Sequence, residues 1–424
     1  MKKILIKKAI AISKKDKILN KIDILIENGK ISHISDNIKP LKHWKTINAE
    51  RLWLFPGLID VHVHTRIPGA EKNEDFKSLT KAALSCGVTT ILAMPNTDPP
   101  TDENILPYLI KKAKKETPLN ILFSSCITKG RKGELSADFE KAANLGAKAF
   151  TDDGSWVKSE KIMREALTFS AKTKIPILSH CQLPGYEGAV NEGRVSKLLK
   201  IKGQPAKAEY EAALRDIKIA LETGGRLHIQ HVSCAQTVRL INKFKSPSIT
   251  AETCPHYFWF TQENIKNGDT NFKMNPPLRR QTDLKRIIEA LKQNTIQIIS
   301  SDHAPHSLES KKQGIEKAPF GVIGIETLLY AAISVLILER MHLPYIFEKM
   351  TSAPAELLNL KNKGVLSVGS DADLVILNAD KLSKFKKFYS KSSNSPFFNQ
   401  DFIGVVEKTF LGGKLVYDKG KFFI

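Results

Sequence analysis

The sequence predicts an α/β protein: a (β/α)8 barrel of the TIM type, with a small β-sandwich formed by the N- and C-terminal segments. Three observations carry this. Eight short apolar runs alternate with helical stretches through the middle of the chain. Ligand-type polar residues stand where those runs end. The two chain ends share a different pattern, of short strands and turns. The eight runs are LIDVHVH (58–64), VTTILAMPN (88–96), NILFSSCI (120–127), AKAFTDD (147–153), PILSHC (176–181), LHIQHVS (227–233), ITAETCP (249–255) and IQIISSDH (296–303). Parallel strands need long crossovers, normally helical, and eight such units close a barrel. The clearest helix spans 206–223. There Tyr210, Ala213, Leu214, Ile217 and Leu221 fall on one face, and Gly224-Gly225 supplies the stop.

The ends differ from the middle. Within residues 1–54, IDILIENGKISHI carries Asn28-Gly29, a hairpin turn pair. Residues 365–424 hold VLSVGSDADLVIL and VEKTFLGGKLVYDKGKFF, again short strands with turns. Neither end offers enough apolar surface to fold alone. The expected organisation is a composite domain of 1–54 with 365–424, and a catalytic barrel over 55–364 inserted between them. The N-terminal MKKILIKKAIAISKKDK begins basic, but Lys7 and Lys8 break its apolar run and no small-residue cleavage site follows. ILIKKAIAI therefore predicts a first strand.

Composition narrows the function classes. With 42% hydrophobic and 26% charged residues in 424, the chain is globular. No apolar run approaches the length of a membrane span. The net charge of +21 comes from lysines spread along the whole chain without interleaved aromatics. That pattern is a solvated surface rather than a nucleic-acid site, although it helps draw in an anionic substrate. Cys86, Cys126, Cys181, Cys234 and Cys254 are widely spaced and form no CxxC pair. The expectation is a reducing, cytoplasmic setting without disulfides.

Chemistry-bearing residues collect at the strand ends. His62 and His64 end the first run, Asp152 and Asp153 the fourth, His180 the fifth, His231 the sixth and Asp302 the eighth. In a parallel barrel these ends share the face where active sites form. His62 and His64 are two residues apart, so both point the same way. Imidazoles and carboxylates converging there predict a zinc-type metal site, and a bridging carboxylate would allow two ions. Arg66 follows the pair by two residues, and a guanidinium grips a carboxylate bidentately. His33, His43, His228 and His256 are expected to be ordinary hydrogen-bonded histidines.

The segments DVHVHTRIPG (60–69), GVTTILAMPNTDPPT (87–101), AFTDDG (149–154), SHC (179–181), HIQHVS (228–233), MNPPLR (274–279), SDHAPH (301–306), APFG (318–321) and NSPF (394–397) run through nearly the whole chain. Jointly they resemble the amidohydrolase superfamily and, within it, the bacterial type I dihydroorotases. The resemblance implies two Zn2+ ions, one on His62 and His64, the other on His180 and His231, with Asp153 bridging. Asp302 would touch the first ion and act as general base. Arg66, Asn96 and His306 would bind the substrate carboxylate, and Asn275 with the Phe320-Gly321 backbone the ring amides. The implied reaction is the reversible cyclisation of N-carbamoyl-L-aspartate to dihydroorotate in pyrimidine biosynthesis. A homodimer and association with aspartate transcarbamoylase are compatible with it.

Three departures stand out. Thr65 and Ile67 replace an expected leucine and acidic residue. AETCPHY (251–257) is closer to allantoinases and hydantoinases, with Tyr257 where a second histidine is usual. Lys148 lies where other amidohydrolases place a carboxylated bridging lysine, although its strand parity is opposite to that of Asp153. Two rivals follow: a hydantoinase- or allantoinase-like hydrolase acting on neutral rings, and a silent scaffold, which would have lost metal ligands. The polar segment 308–317 is expected to form a loop at the mouth of the site.

Overall fold

The computed structural model describes residues 3–13 and 17–424. The basic Met1-Lys2 start lies outside them. The chain opens with β1 (Ile4–Ser13), β2 (Lys17–Glu27), β3 (Lys30–Ser35), β4 (Lys45–Asn48) and β5 (Trp53–Pro56). β1 and β2 pair antiparallel, as do β2 and β3. Asn28 and Gly29 make the β2–β3 turn, both at positive φ (53° and 78°), the geometry that selects this residue pair.

The barrel follows: β6 (Leu58–Val63), β7 (Val88–Ala93), β8 (Asn120–Ser125), β9 (Ala149–Phe150) and β10 (Ile177–Ser179). An excursion then contributes the short pair β11 (Val190–Asn191) and β12 (Gly203–Gln204), before β13 (Leu227–Ile229), β14 (Ile249–Thr253) and β15 (Ile298–Ile299) complete the set. The eight barrel strands fall inside the eight apolar runs of the sequence. They form one sheet in the order β15-β14-β13-β10-β9-β8-β7-β6. A parallel bridge between Val63 and His303 joins its two edges, and the His64 amide donates to the His303 carbonyl at 2.9 Å. Closure removes the exposed edges that an open sheet would leave.

Helices cover the outside. The helix Lys207–Thr223 ends at Gly224, which takes φ 70° as a left-handed cap. Inside the barrel, Ile59, Leu92, Ala149, Leu178 and Ile298 from five strands meet Leu357 and Leu358 in one buried cluster. The barrel is thus a filled core beneath its mouth.

The chain returns through β16 (Leu374–Lys384), β17 (Asp401–Leu411), β18 (Lys414–Asp418) and β19 (Lys421–Phe422). β16 pairs antiparallel with β5, so the two ends share one nine-stranded sheet in the order β19-β18-β17-β16-β5-β1-β2-β3, with β4 beside β1. Ile6, Ile24, Ile31, Leu54, Leu374 and Phe410 give this sheet a core of its own. Among the described residues no helix is long and apolar enough to cross a membrane.

Candidate metal centre and substrate pocket

The barrel strands deliver their terminal side chains to one point. His62 is the fifth residue of β6 and His64 follows the strand; both are buried. His62 Nε2 lies 3.2 Å from Asp153 Oδ1 and 3.5 Å from Asp302 Oδ1. His64 Nε2 lies 3.6 Å from Asp153 Oδ2 and 3.2 Å from Asp302 Oδ1. On the other side of Asp153, His180 Nδ1 is 3.5 Å from Oδ1, and His231 Nε2 is 3.9 Å from the same oxygen and 2.9 Å from His180 Nδ1. His62, His64 and Asp153 form one set able to hold a metal ion, and Asp153, His180 and His231 a second. Asp153 is common to both.

The donors fit cations. His62 Nε2, Asp153 Oδ1 and His231 Nδ1 are buried without a well-aligned hydrogen bond, the first two facing each other at 3.2 Å. Buried polar atoms are normally satisfied, and their concentration at one point marks a missing partner. The field points the same way. Burial works to lower the His62 pKa, but Asp153, Asp302 and Glu252 outweigh it and raise it well above the ordinary value. Burial lowers that of His231 to about 3, helped by His180 and His62. Burial opposes ionisation of Asp302, yet His62 and His64 hold its pKa down to about 2. The carboxylates are thus anionic, and His231 presents a neutral imidazole, the form that binds a divalent ion.

Residues behind the ligands set their tautomers. Asn96 Oδ1 accepts from His64 Nδ1 at 2.7 Å, leaving Nε2 for the acids, and Asn96 Nδ2 donates to Asp153 Oδ2 at 3.3 Å. Gln182 Oε1 lies 3.1 Å from His180 Nε2 and accepts from Asn275 Nδ2 at 2.7 Å. His62 Nδ1 lies 2.6 Å from Glu252 Oε1, whose other oxygen is 3.3 Å from His228 Nε2. Sequence reasoning missed Glu252 and Gln182. The available signal for Glu252 was a lone acid inside a buried strand. Arg131 was missed as well; its Nη2 donates to the Asp153 carbonyl at 2.5 Å and so fixes the backbone of the shared ligand.

Position bears on two choices left open by the sequence. Lys148 is exposed between buried Ala147 and Ala149, on the face away from the metal-binding sets. Asp152 turns into the wall, where its Oδ1 accepts from the amides of Ile127 and Thr128 at 2.8 and 3.0 Å.

A cavity of about 380 Å³ opens over the metal-binding sets. Arg66, Asn96, Asn275, His306, Phe320 and Gly321 line it together with His64, Asp153, His180, His231 and Asp302. Arg66 Nε donates to the Pro305 carbonyl at 3.0 Å, and Nη2 lies 3.2 Å from His306 Nε2. No carboxylate among the described residues forms a salt bridge with this guanidinium. His306, its pKa lowered to about 3 by burial and by Arg66, is neutral and donates Nε2–H to the Phe320 carbonyl at 2.7 Å. Gly321 sits at φ 124°, and a Cβ there would fall 2.6 Å from the Ala304 Cβ, so glycine is required. Arg66, His231 and Asp302 also take positive φ (61°, 34° and 47°), conformations costly for side-chain-bearing residues and typical of functional sites.

The segment 308–317 forms two short helices, Leu308–Lys311 and Gly314–Lys317, beside this mouth. From it Lys311 reaches inward, donating to the carbonyls of Lys273, Pro319 and Gly321 at 3.3, 3.0 and 2.9 Å. Tyr257 is buried and donates to the Pro276 carbonyl at 2.6 Å. It supports the Asn275 turn from behind and does not line the cavity.

A barrel whose mouth gathers four histidines and two aspartates defines a class, the metal-dependent hydrolases. The comparisons agree. The amidohydrolase family model matches residues 53–416. A dihydroorotase of Geobacter metallireducens is 39% identical over 94% of this chain and 95% of its own. One of Endomicrobium trichonymphae is 40% identical, covering 93% and 94%. Among solved structures, an L-hydantoinase of Arthrobacter aurescens superposes with a TM-score of 0.90 at 26% identity, over all of this chain and 98% of that one. The chain belongs to the amidohydrolase family, in the branch of its dihydroorotase relatives.

Proposed function

We propose that the chain is a dihydroorotase, a cyclic amide hydrolase that interconverts N-carbamoyl-L-aspartate and (S)-dihydroorotate plus water in pyrimidine biosynthesis. The observation that carries the substrate assignment is Arg66: a cation without a carboxylate partner, facing the cavity beside the metal-binding sets. A ring bearing a carboxylate supplies that partner, whereas a neutral ureide ring leaves it unmet. The chain is assigned to the cytoplasm, in keeping with its five buried free cysteines. Residues 1–54 with 365–424 are taken as one composite unit around the barrel of 55–364.

Two zinc ions suit the donors. His62 and His64 would hold one, His180 and His231 the other, with Asp153 between them and Asp302 at the first. When bound, zinc makes water acidic enough to attack near neutral pH and polarises the ring carbonyl. The chain's own residues do the rest. Asp302, anionic between His62 and His64, takes the proton of the attacking water and returns it to the leaving ring nitrogen. In the biosynthetic direction the same proton travels back. Arg66 binds the substrate carboxylate, with neutral His306 at its side. Asn275 and the backbone at Phe320-Gly321 hold the ring amides. Asn96 keeps Nε2 of His64 turned toward the acids.

The test is turnover of L-dihydroorotate by metal-replete protein, followed by ultraviolet absorbance, with hydantoin and allantoin alongside. Turnover of dihydroorotate that is lost on chelation and strongly weakened in Arg66→Ala is the expected result. Preferential turnover of the neutral rings would overturn the substrate assignment. Zinc binding without any turnover would favour the scaffold alternative.

A further inference from the structure

Two residues at the mouth belong to neither histidine pair. Cys254 directly follows β14, and His256 lies in the short helix Pro255–Trp259. With Asp302 they form a third set, whose ligand atoms lie within 4.8 Å of one another, the same closeness that defines the other two sets. Cys254 is 0% and His256 1% exposed. Both ring nitrogens of His256 lack any hydrogen-bond partner. The Cys254 sulfur makes a long contact with Ser300 Oγ, at 3.8 Å. A fully buried imidazole with two unmet nitrogens is rare, because burial removes the water that would satisfy them.

The chemistry of the set is specific. With both ring nitrogens unpartnered, His256 has one free to offer its lone pair to an ion. The Cys254 thiol is fully buried, and only an ion that binds sulfur tightly displaces its proton. Thiol, imidazole and carboxylate together select thiophilic divalent ions and reject magnesium or calcium. Asp302 lines the open cavity and so provides the way in.

We propose that Cys254, His256 and Asp302 form a third, inhibitory metal site that takes a thiophilic divalent ion, such as zinc in excess or cadmium. On binding, the Cys254 S–H bond breaks, sulfur and nitrogen donate electron pairs to the ion, and the proton leaves to solvent. The carboxylate oxygen of Asp302 left free by the first ion is drawn into this coordination, leaving neither oxygen to accept the proton of the attacking water. The inhibitory half rests on the reading of Asp302 as general base; the existence of the site does not.

The experiment titrates cadmium into enzyme whose two histidine sets are already filled. Bound metal, ultraviolet absorbance and dihydroorotate turnover are recorded on the same samples. The expected result is one further equivalent bound, a sulfur-to-cadmium charge-transfer band, and a parallel loss of turnover of about a hundredfold or more, the contribution of a general base. Cys254→Ser and His256→Asn, on different backbone elements, should bind no further equivalent, show no band, and keep turning over in the same cadmium. Stoichiometry that stays at two without a band, or inhibition unchanged in both variants, overturns the site. A full band with unimpaired turnover overturns the inhibitory role. Absence of dihydroorotate turnover before any cadmium is added instead contradicts the assigned activity, and the band still decides the site.

Discussion

The barrel has a cavity at each end, and the larger one is not where the chemistry gathers. The cavity at the N-terminal ends of the strands measures about 440 Å³ and is lined by Arg226, Lys245, Thr250, Gln297 and Glu348 among others. The one at the C-terminal mouth measures about 380 Å³. At the lower end the guanidinium of Arg226 is tied down. Arg226 donates to the carbonyls of Lys174, Glu356 and Leu357 at 2.5, 3.1 and 3.0 Å, and to Asn359 Oδ1 at 3.0 Å. At the mouth, His62 Nε2, Asp153 Oδ1, His231 Nδ1 and both nitrogens of His256 remain unmet. Volume alone does not mark a functional site. Several buried polar atoms awaiting a partner at one point do.

The contrast can be broken experimentally. Removing metal with a chelator should abolish turnover, and zinc should restore it. Asp302→Asn should lower kcat by about 10²–10⁴-fold, the range for a general base, as steady-state assays will show. Loss of less than tenfold would move the proton-transfer role elsewhere. Next in size, Arg66→Ala should raise KM for dihydroorotate by roughly 10–100-fold, the equivalent of a charge-assisted hydrogen bond, and should leave bound zinc unchanged. Glu252→Gln should weaken zinc affinity by about 10–100-fold, the usual cost of disturbing a group behind a ligating histidine, read by competition with a chromogenic chelator. Lys311→Met should raise KM by only about 2–10-fold with kcat preserved, because Lys311 acts through the carbonyls that flank Phe320. At the opposite end, Lys245→Ala should leave kcat and KM within about twofold, the small effect of a surface change. A large effect there would erase the distinction between the two cavities.

How much of this was legible in the sequence follows from range. The eight strands were visible because each is a short apolar run, although β9 and β15 shrink to two residues apiece. The candidate metal-binding residues were visible because strand alternation and strand-end position are local properties. Lys148 and Asp153 were separated by the resemblance and by strand parity, and the exposure of Lys148 accords with the parity. The role of Glu252 was not legible beyond its being an acid in a buried strand. Its partner His62 lies 190 residues away, and only barrel closure brings β14 toward the end of β6. The role of Lys311 was hidden for a similar reason: a lysine in a polar stretch gives no sign that it will be buried against three carbonyls. Tyr257 looked like a specificity residue because of its place in a motif, and its hydroxyl turned out to face Pro276.

The sheet that joins the two chain ends has a consequence for synthesis. β5 is complete at Pro56, but its neighbour β16 begins at Leu374. At roughly 5–20 residues per second, a ribosome needs about 16–60 s to cover that gap. During that time the flank of β5 destined for β16 stays open, with apolar side chains uncovered. Such an edge invites pairing with other nascent chains. The last strands made therefore act as a closing clasp, and a chain released before them would carry a finished metal-binding barrel beside a sheet that is still adhesive.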